Sequence, residues 1–274
     1  SMLDILENCM ARGRALYDGH AVAAVAAVDE QTARQALKLI KVTYKRLPHV
    51  TDVDKAMQPG APVIHDWVFT SGVDPKPEKA SNIVQRNQFG HGDVEAGFAE
   101  ADRIFEGVYE TQRVHTCYME PRVCVADSDT QGRVTIHSSM QHTFGLREKL
   151  AYALDIPETM VNVVKPTYIG GGFGGKLDIS FIEGLSALLS LKTGKPVRAE
   201  HSRGEDFITT TRNPIKVYLK TGVKKDGTYT ARSIRSILDA GAHATHGAEV
   251  IMVHGLYGTF FPWKCQNQLW EGFT

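Results

Sequence analysis

Four cysteines in 274 residues are few, and their placing matters more than their number. Cys9, Cys117, Cys124 and Cys265 form no C-x-x-C pair. They offer neither an iron–sulfur ligand set nor a disulfide framework, so reduced thiols are expected. Excess charge is missing too: 31 Lys plus Arg balance 31 Asp plus Glu. No global field draws the chain to nucleic acid or to an anionic membrane. No apolar run reaches the roughly 18 residues of a membrane span, and the N-terminus lacks a secretory pattern, so a soluble cytoplasmic protein is expected. Among 11 histidines there is no H-E-x-x-H, and His243 with His246 is only an i, i+3 pair. No metal held by protein side chains is expected.

What the chain has in quantity is glycine in one place. Residues 169–176 read Ile-Gly-Gly-Gly-Phe-Gly-Gly-Lys, after a β-rich run at 161–165 and before an apolar helical run at 181–191. A backbone without Cβ atoms can adopt positive φ and leave its N–H groups bare, which suits an oxyanion, a phosphate or a metal-oxo group. Gly170, Gly175 and Lys176 match a P-loop, but Leu177 stands where that motif needs a hydroxyl. Gly170, Gly172 and Gly175 match a dinucleotide fingerprint, with Glu200 at the end of a later strand-like run as its ribose-binding acid. A tight glycine turn without any ligand is the plain alternative.

The rest of the chain reads as α+β, long enough for one large domain or two modest ones. Residues 19–28 read as a buried strand, Asp29 as the cap of a helix carrying Ala33, Ala36, Leu37 and Ile40, and residues 42–44 as a second strand. Residues 58–92 are rich in proline and glycine and read as an extended linker, pinned by Trp67 and Phe69. Asp93 caps a short helix, and strands are expected at 104–111, 123–126 and 134–138. His115 and Glu120 could form an acid/base pair, but a structural hydrogen-bond acceptor is the stronger reading of Glu120. Gln141 ends the third strand before a helix carrying Leu146, Leu150 and Leu154. Residues 181–191 are apolar around much of a helix and belong to a core. Asp226-Gly227 turns a hairpin between 215–223 and 229–239. A short helix is expected around 249–257, and Trp270 and Phe273 near the last residue read as exposed aromatics.

The GGGFGGK segment, Met140-Gln141 upstream of it and Met119-Glu120-Pro121 before that resemble the molybdopterin-binding large subunit of the xanthine dehydrogenase and aldehyde oxidase family. The likeness extends from Gly19-His20-Ala21-Val22-Ala23 to Gly241-Ala242-His243. It implies a partial hammerhead β-α-β unit at 1–57, a linker at 58–92, and at 93–274 the N-terminal portion of a molybdopterin-binding domain with mixed sheets. The chain would then begin and end within domains. By resemblance the cofactor is molybdopterin, approached by Gln141, Gly172, Phe173 and Gly174, with no protein ligand to the metal and no iron–sulfur or FAD site in this chain. The implied reaction inserts a water-derived oxygen into an aldehyde or N-heterocycle. The family's base glutamate falls beyond Thr274, so no catalytic residue is assigned here, and neither Glu183 nor Glu249 is promoted to that role. Leu177 stands where the purine-hydroxylating branch has an acid and His254 where it has an arginine, so xanthine is not the implied substrate. Implied partners are the remainder of the large subunit, together with iron–sulfur and FAD subunits or domains. The competing readings are a cofactor-free binding module of the same fold and a dinucleotide-binding oxidoreductase.

Overall fold

The computed structural model describes residues 2–260 and 264–274. In chain order the elements are α1 (Met2–Cys9), α2 (Glu30–Leu37), α3 (Val53–Ala56), β1 (Arg86–His91), α4 (Val94–Ala99), β2 (Arg103–Glu110), β3 (Val123–Ser128) and β4 (Val134–Ser138). There follow α5 (Thr143–Leu154), β5 (Val161–Val164), α6 (Phe181–Thr193), β6 (Val197–Glu200), α7 (Arg203–Thr209), β7 (Ile215–Val223), β8 (Tyr229–Leu238), α8 (Gly247–Phe260) and β9 (Gln268–Phe273). The mixed α+β class is as expected. Two compact units emerge, neither continuous in sequence: Ser1–Arg46 with Val114–Arg212, and Leu47–Arg113 with Asn213–Thr274.

The first unit is built on a sheet of order β5-β4-β3-β6. β3 is antiparallel to β4 and β6, while β4 and β5 are parallel and joined by α5. A parallel pair needs a crossover, and a helix supplies it. Alternation along β3 and β4 sends Cys124, Ala126, Val134 and Ile136 to one face, where Leu146, Leu150, Ile182 and Ala187 of α5 and α6 cover them. Burial pushes the Cys9 and Cys124 thiols up to about 12, so both stay protonated, as buried apolar-like cysteines do. Ser180 starts α6 with a capping box closed by Glu183, and Gly194 ends it.

The second unit holds a sheet of order β1-β9-β8-β7-β2, with β8 and β9 parallel around the crossover helix α8. Trp270 is fully buried among Ile234, Leu238 and Ile251.

Several expectations need correction. Asp29 does cap α2, accepting from the Thr32 N–H at 2.7 Å. Residues 19–28 and 42–44, however, form no strand. An alternating pattern becomes a strand only where a neighbouring ladder takes its N–H and C=O groups. Among the described residues the only hydrogen bond seen from main chain to main chain of residues 21–28 is Ala11 N–H to Ala21 O. Leu37 and Ile40, which carried the helix periodicity, are exposed, as is Tyr44. The stretch read as a linker contains β1, an edge strand paired with β9, and Phe69 is exposed rather than an anchor. α8 is longer than the expected short helix. Trp270 and Phe273 are core residues, because β9 lies between β1 and β8.

Candidate cofactor-binding site

The glycine loop lies in the first unit, between β5 and α6. Gly171 and Gly174 have φ of +91° and +90°, and between them Phe173 is held at +50°. A side chain in the left-handed region costs about 1–3 kcal/mol and persists where surroundings impose it, often at functional sites. The turn has consequences for its donors. Gly170 N–H goes to Glu120 Oε2 at 3.1 Å, Gly175 N–H to Gly172 O at 2.7 Å, and Gly174 and Lys176 N–H both to Gln141 Oε1 at 3.1 Å. The N–H groups of Gly171, Gly172 and Phe173 have no partner among the described residues. Three successive free amides on such a turn are uncharged donors of the kind that suit anionic oxygen.

Gln141 faces this turn. Its main-chain N–H donates to Lys176 O at 2.9 Å, and its carboxamide oxygen takes the two loop amides. The side-chain NH2 is left without a protein partner among the described residues, on an exposed residue. A Cβ at Gly172 would sit 2.4 Å from Gln141 Oε1, so this position admits only glycine while Gln141 keeps its place. Four large apolar side chains adjoin these segments in sequence and stay exposed: Met119, Phe144, Tyr168 and Phe173. A donor surface flanked by exposed apolar groups suits a ligand that is partly flat and partly anionic.

Beneath the turn the unit buries charge. Lys176 is fully buried, its ammonium 2.7 Å from Glu120 Oε2 and 4.7 Å from the centre of the Tyr118 ring. Arg122 donates to Gly175 O at 2.8 Å and to Asp178 O at 2.6 Å, and pairs with the buried Glu183 at 3.4 Å. Glu183 also accepts from Ser138 Oγ–H and Ser180 N–H, at 3.0 and 2.8 Å. A second chain runs from Tyr118 O–H to Asp206 Oδ1, on to His201 Nδ1, and from His201 Nε2 to Ser180 Oγ, each step 3.0 Å. Burial pulls the His201 pKa down, with Arg122 acting in the same direction. The imidazole is therefore neutral at pH 7, with its proton on Nδ1 toward Asp206. This Ser-His-Asp string is an interior brace: His201 and Asp206 have no solvent access, and Ser180 caps α6.

Gln141, Gly172, Phe173 and Gly174 thus come together, and Leu177, half-buried, follows them on the same segment. His254 belongs to the second unit, on α8, with Nε2 3.0 Å from Ser236 Oγ; burial lowers its pKa. One expected role shifts. The Gly174 N–H, anticipated as a donor to ligand oxygen, is spent on Gln141, and the free donors lie one to three residues earlier. Glu120 accepts from Gly170 and Lys176 rather than pairing with His115, whose Nδ1 accepts from Cys117 N–H at 3.0 Å. The inward Lys176 cannot serve as a phosphate lysine. Nor does the loop open a helix: α6 starts five residues past Lys176, and only β4–β5 in this sheet is parallel, unlike a dinucleotide-binding fold. Glu200 is taken by Arg198. Arg122 and His201 went unread in the sequence because a lone charge or imidazole carries no periodicity.

Comparison with known proteins settles the lineage. The profile of the molybdopterin cofactor-binding domain matches residues 75–273, and that of the aldehyde oxidase and xanthine dehydrogenase a/b hammerhead domain matches residues 2–48. The chain belongs to the molybdopterin-binding family of xanthine dehydrogenases and aldehyde oxidases. It is 37% identical over 239 residues to a probable xanthine dehydrogenase subunit from Bacillus subtilis, covering 87% of this chain and 30% of that protein. It is 32% identical over 246 residues to the nicotinate dehydrogenase large molybdopterin subunit of Eubacterium barkeri, covering 89% of this chain and 54% of that one. Among solved structures it is similar to quinoline 2-oxidoreductase from Pseudomonas putida 86, with a TM-score of 0.78, 28% identity, and coverage of 97% and 33% of the two chains. A Cu,Mo-CO dehydrogenase gives a TM-score of 0.83 at 25% identity, with 97% and 34% covered. The chain thus spans about a third to a half of the length of these relatives. No helix among its described residues is long and apolar enough to cross a membrane.

Proposed function

We propose that this chain forms one wall of the cofactor site of a molybdenum hydroxylase acting on an aldehyde or N-heterocycle, and does not turn over substrate alone. The carrying observation is the set of free N–H groups at residues 171–173 beside the free NH2 of Gln141. All are donors, none is charged, and their positions are set before any ligand arrives, which suits the oxygens of a molybdenum-pterin group. When bound, molybdopterin supplies the two-electron oxidation. Gln141 and the amides of Gly171, Gly172 and Phe173 hold and orient its oxygens, while Gly174 fixes Gln141 from behind. Leu177 offers a substrate no hydrogen bond, which argues against a purine. By resemblance alone, His254 stands where the purine-hydroxylating branch has an arginine. Neither Glu120 nor Glu183 is free to act as base, since each is held by a cation and main-chain N–H groups. The family resemblance implies that the base lies in polypeptide other than this chain, along with the iron–sulfur and FAD partners.

The test is to purify the chain from cells that make molybdopterin and measure molybdenum by elemental analysis and pterin by fluorescence after oxidation. Retained cofactor is expected, and Gly172→Ala should cut it by about tenfold or more, because the new methyl group displaces Gln141. Equal retention by Gly172→Ala would overturn the reading. Cofactor-free protein that forms a stable complex of its own would favour a binding module, and saturable binding of NAD or NADP a dinucleotide enzyme.

A further inference from the structure

The cofactor-facing polarity of Gln141 depends on which end of its carboxamide turns outward. The oxygen and the NH2 group occupy nearly the same space, and only their hydrogen-bond partners distinguish them. Two N–H donors, from Gly174 and Lys176, converge on one atom of the Gln141 side chain, so that atom must be the oxygen. One of those donors is itself set from below. The Lys176 N–H shares a planar trans peptide with the Gly175 carbonyl, and in such a unit the two point in opposite directions. The Gly175 carbonyl is drawn inward by Arg122 Nη2 at 2.8 Å. Arg122 Nη1 holds the Asp178 carbonyl at 2.6 Å, which clamps the chain on both sides of Lys176-Leu177. The guanidinium is fully buried and neutralised by Glu183, so it has no solvent-facing alternative.

We propose that Arg122 is a positioning residue: through the Gly175–Lys176 peptide it compels Gln141 to present its NH2, not its oxygen, to the ligand. If that peptide turned over, the Gly175 carbonyl would face the Gln141 side chain and require the NH2 there. Gly174 N–H alone would then favour the oxygen at that place, and the carboxamide would lose the paired donors that fix its NH2 toward a site for anionic oxygen. Arg122 touches no ligand and acts only through this relay. The proposal rests on the reading of the loop as a cofactor site, but its test involves no cofactor, so it can fail or succeed independently of that reading.

The measurement is amide hydrogen exchange and side-chain NMR on the whole chain. Arg122→Lys keeps the charge but replaces a two-carbonyl fork with a single point donor. It should speed exchange of the Gly174 and Lys176 amides by about tenfold, while amides of β3 and β4 change less than about twofold. Gln141→Leu should speed the same two amides and leave Gly175, bonded to Gly172 O, unchanged. In the unaltered chain, the Arg122 Nη protons should give separate, slowly exchanging signals, and the Gln141 NH2 should exchange freely. A merely structural role for Arg122 would raise exchange across the whole sheet. That outcome, unchanged Gly174 and Lys176 amides in either variant, or averaged Nη signals would each overturn the proposal. The Gln141→Leu and Nη measurements decide it even if Arg122→Lys does not fold.

Discussion

Beside its apolar core, the first unit buries charge under the glycine loop: Arg122 against Glu183 and Lys176 against Glu120, with Asp206 hydrogen-bonded to the neutral His201. In the second unit, the parallel pair β8–β9 closes instead on the indole of Trp270, tilted against Phe89 with ring centroids 4.6 Å apart and backed by Ile234 and Ile251. Both units wrap a helix across a parallel strand pair, so topology does not account for the difference. A dry apolar core stabilises without directing anything. A buried network of charges and carbonyls contributes less net stability, because desolvation offsets the attraction, but each bond in it points a particular peptide in a particular direction. The unit carrying the loop is the one that needs direction.

The comparison can be broken most forcefully at the two cores. Arg122→Met strands a buried carboxylate and should cost about 3–5 kcal/mol of stability, and Glu183→Met in the same chain should restore part of it by removing that charge, though the Gly175 and Asp178 carbonyls still lack their donor. Trp270→Ala should cost a similar amount, about 3–5 kcal/mol, and no polar substitution nearby should restore it, because the loss is a cavity. Urea unfolding of the single and double variants checks both. Rescue at Trp270, or none at Arg122, would erase the distinction.

A smaller effect should appear with pH. His201 has a folded-state pKa below its usual 6.5, chiefly from burial, and His115 is likewise lowered by burial. A base with a depressed folded pKa binds more protons when unfolded, so the stability it contributes is intact above pH 6.5 and is lost as pH falls toward the folded value. Urea midpoints should therefore drop between pH 7.5 and 5.5, and His201→Gln should flatten that slope. An unchanged slope would remove His201 from the account. Smallest of all, Asp93→Ala in the second unit deletes the cap that accepts from the Glu95 and Ala96 N–H groups and should cost about 1 kcal/mol by the same assay.

Much of the fold was legible where pattern and element coincide. Alternation marked β3 and β4, a four-residue apolar interval marked α5, and Asp226-Gly227 marked the turn between β7 and β8. The loop itself stood out because few sequences crowd five glycines around one phenylalanine. β1 did not, since Asn87, Gln88 and Gly90 have poor strand propensity and the strand exists because β9 supplies its ladder. The reverse error, at residues 19–28, has the same cause: a good pattern without a neighbouring ladder. Arg122 was invisible for a different reason, as the carbonyls it holds lie 53 and 56 residues away.

Composition and spacing alone established an α+β chain without cluster-forming cysteines, and a backbone bend able to approach anionic oxygen, because glycine content and periodicity are local properties. Which amides of that bend remain free, and which end of the Gln141 carboxamide faces outward, were decided only when segments 120–122, 141 and 170–178 packed together. Hydrogen-bond direction belongs to pairs of groups far apart in sequence, so no local pattern could have encoded it.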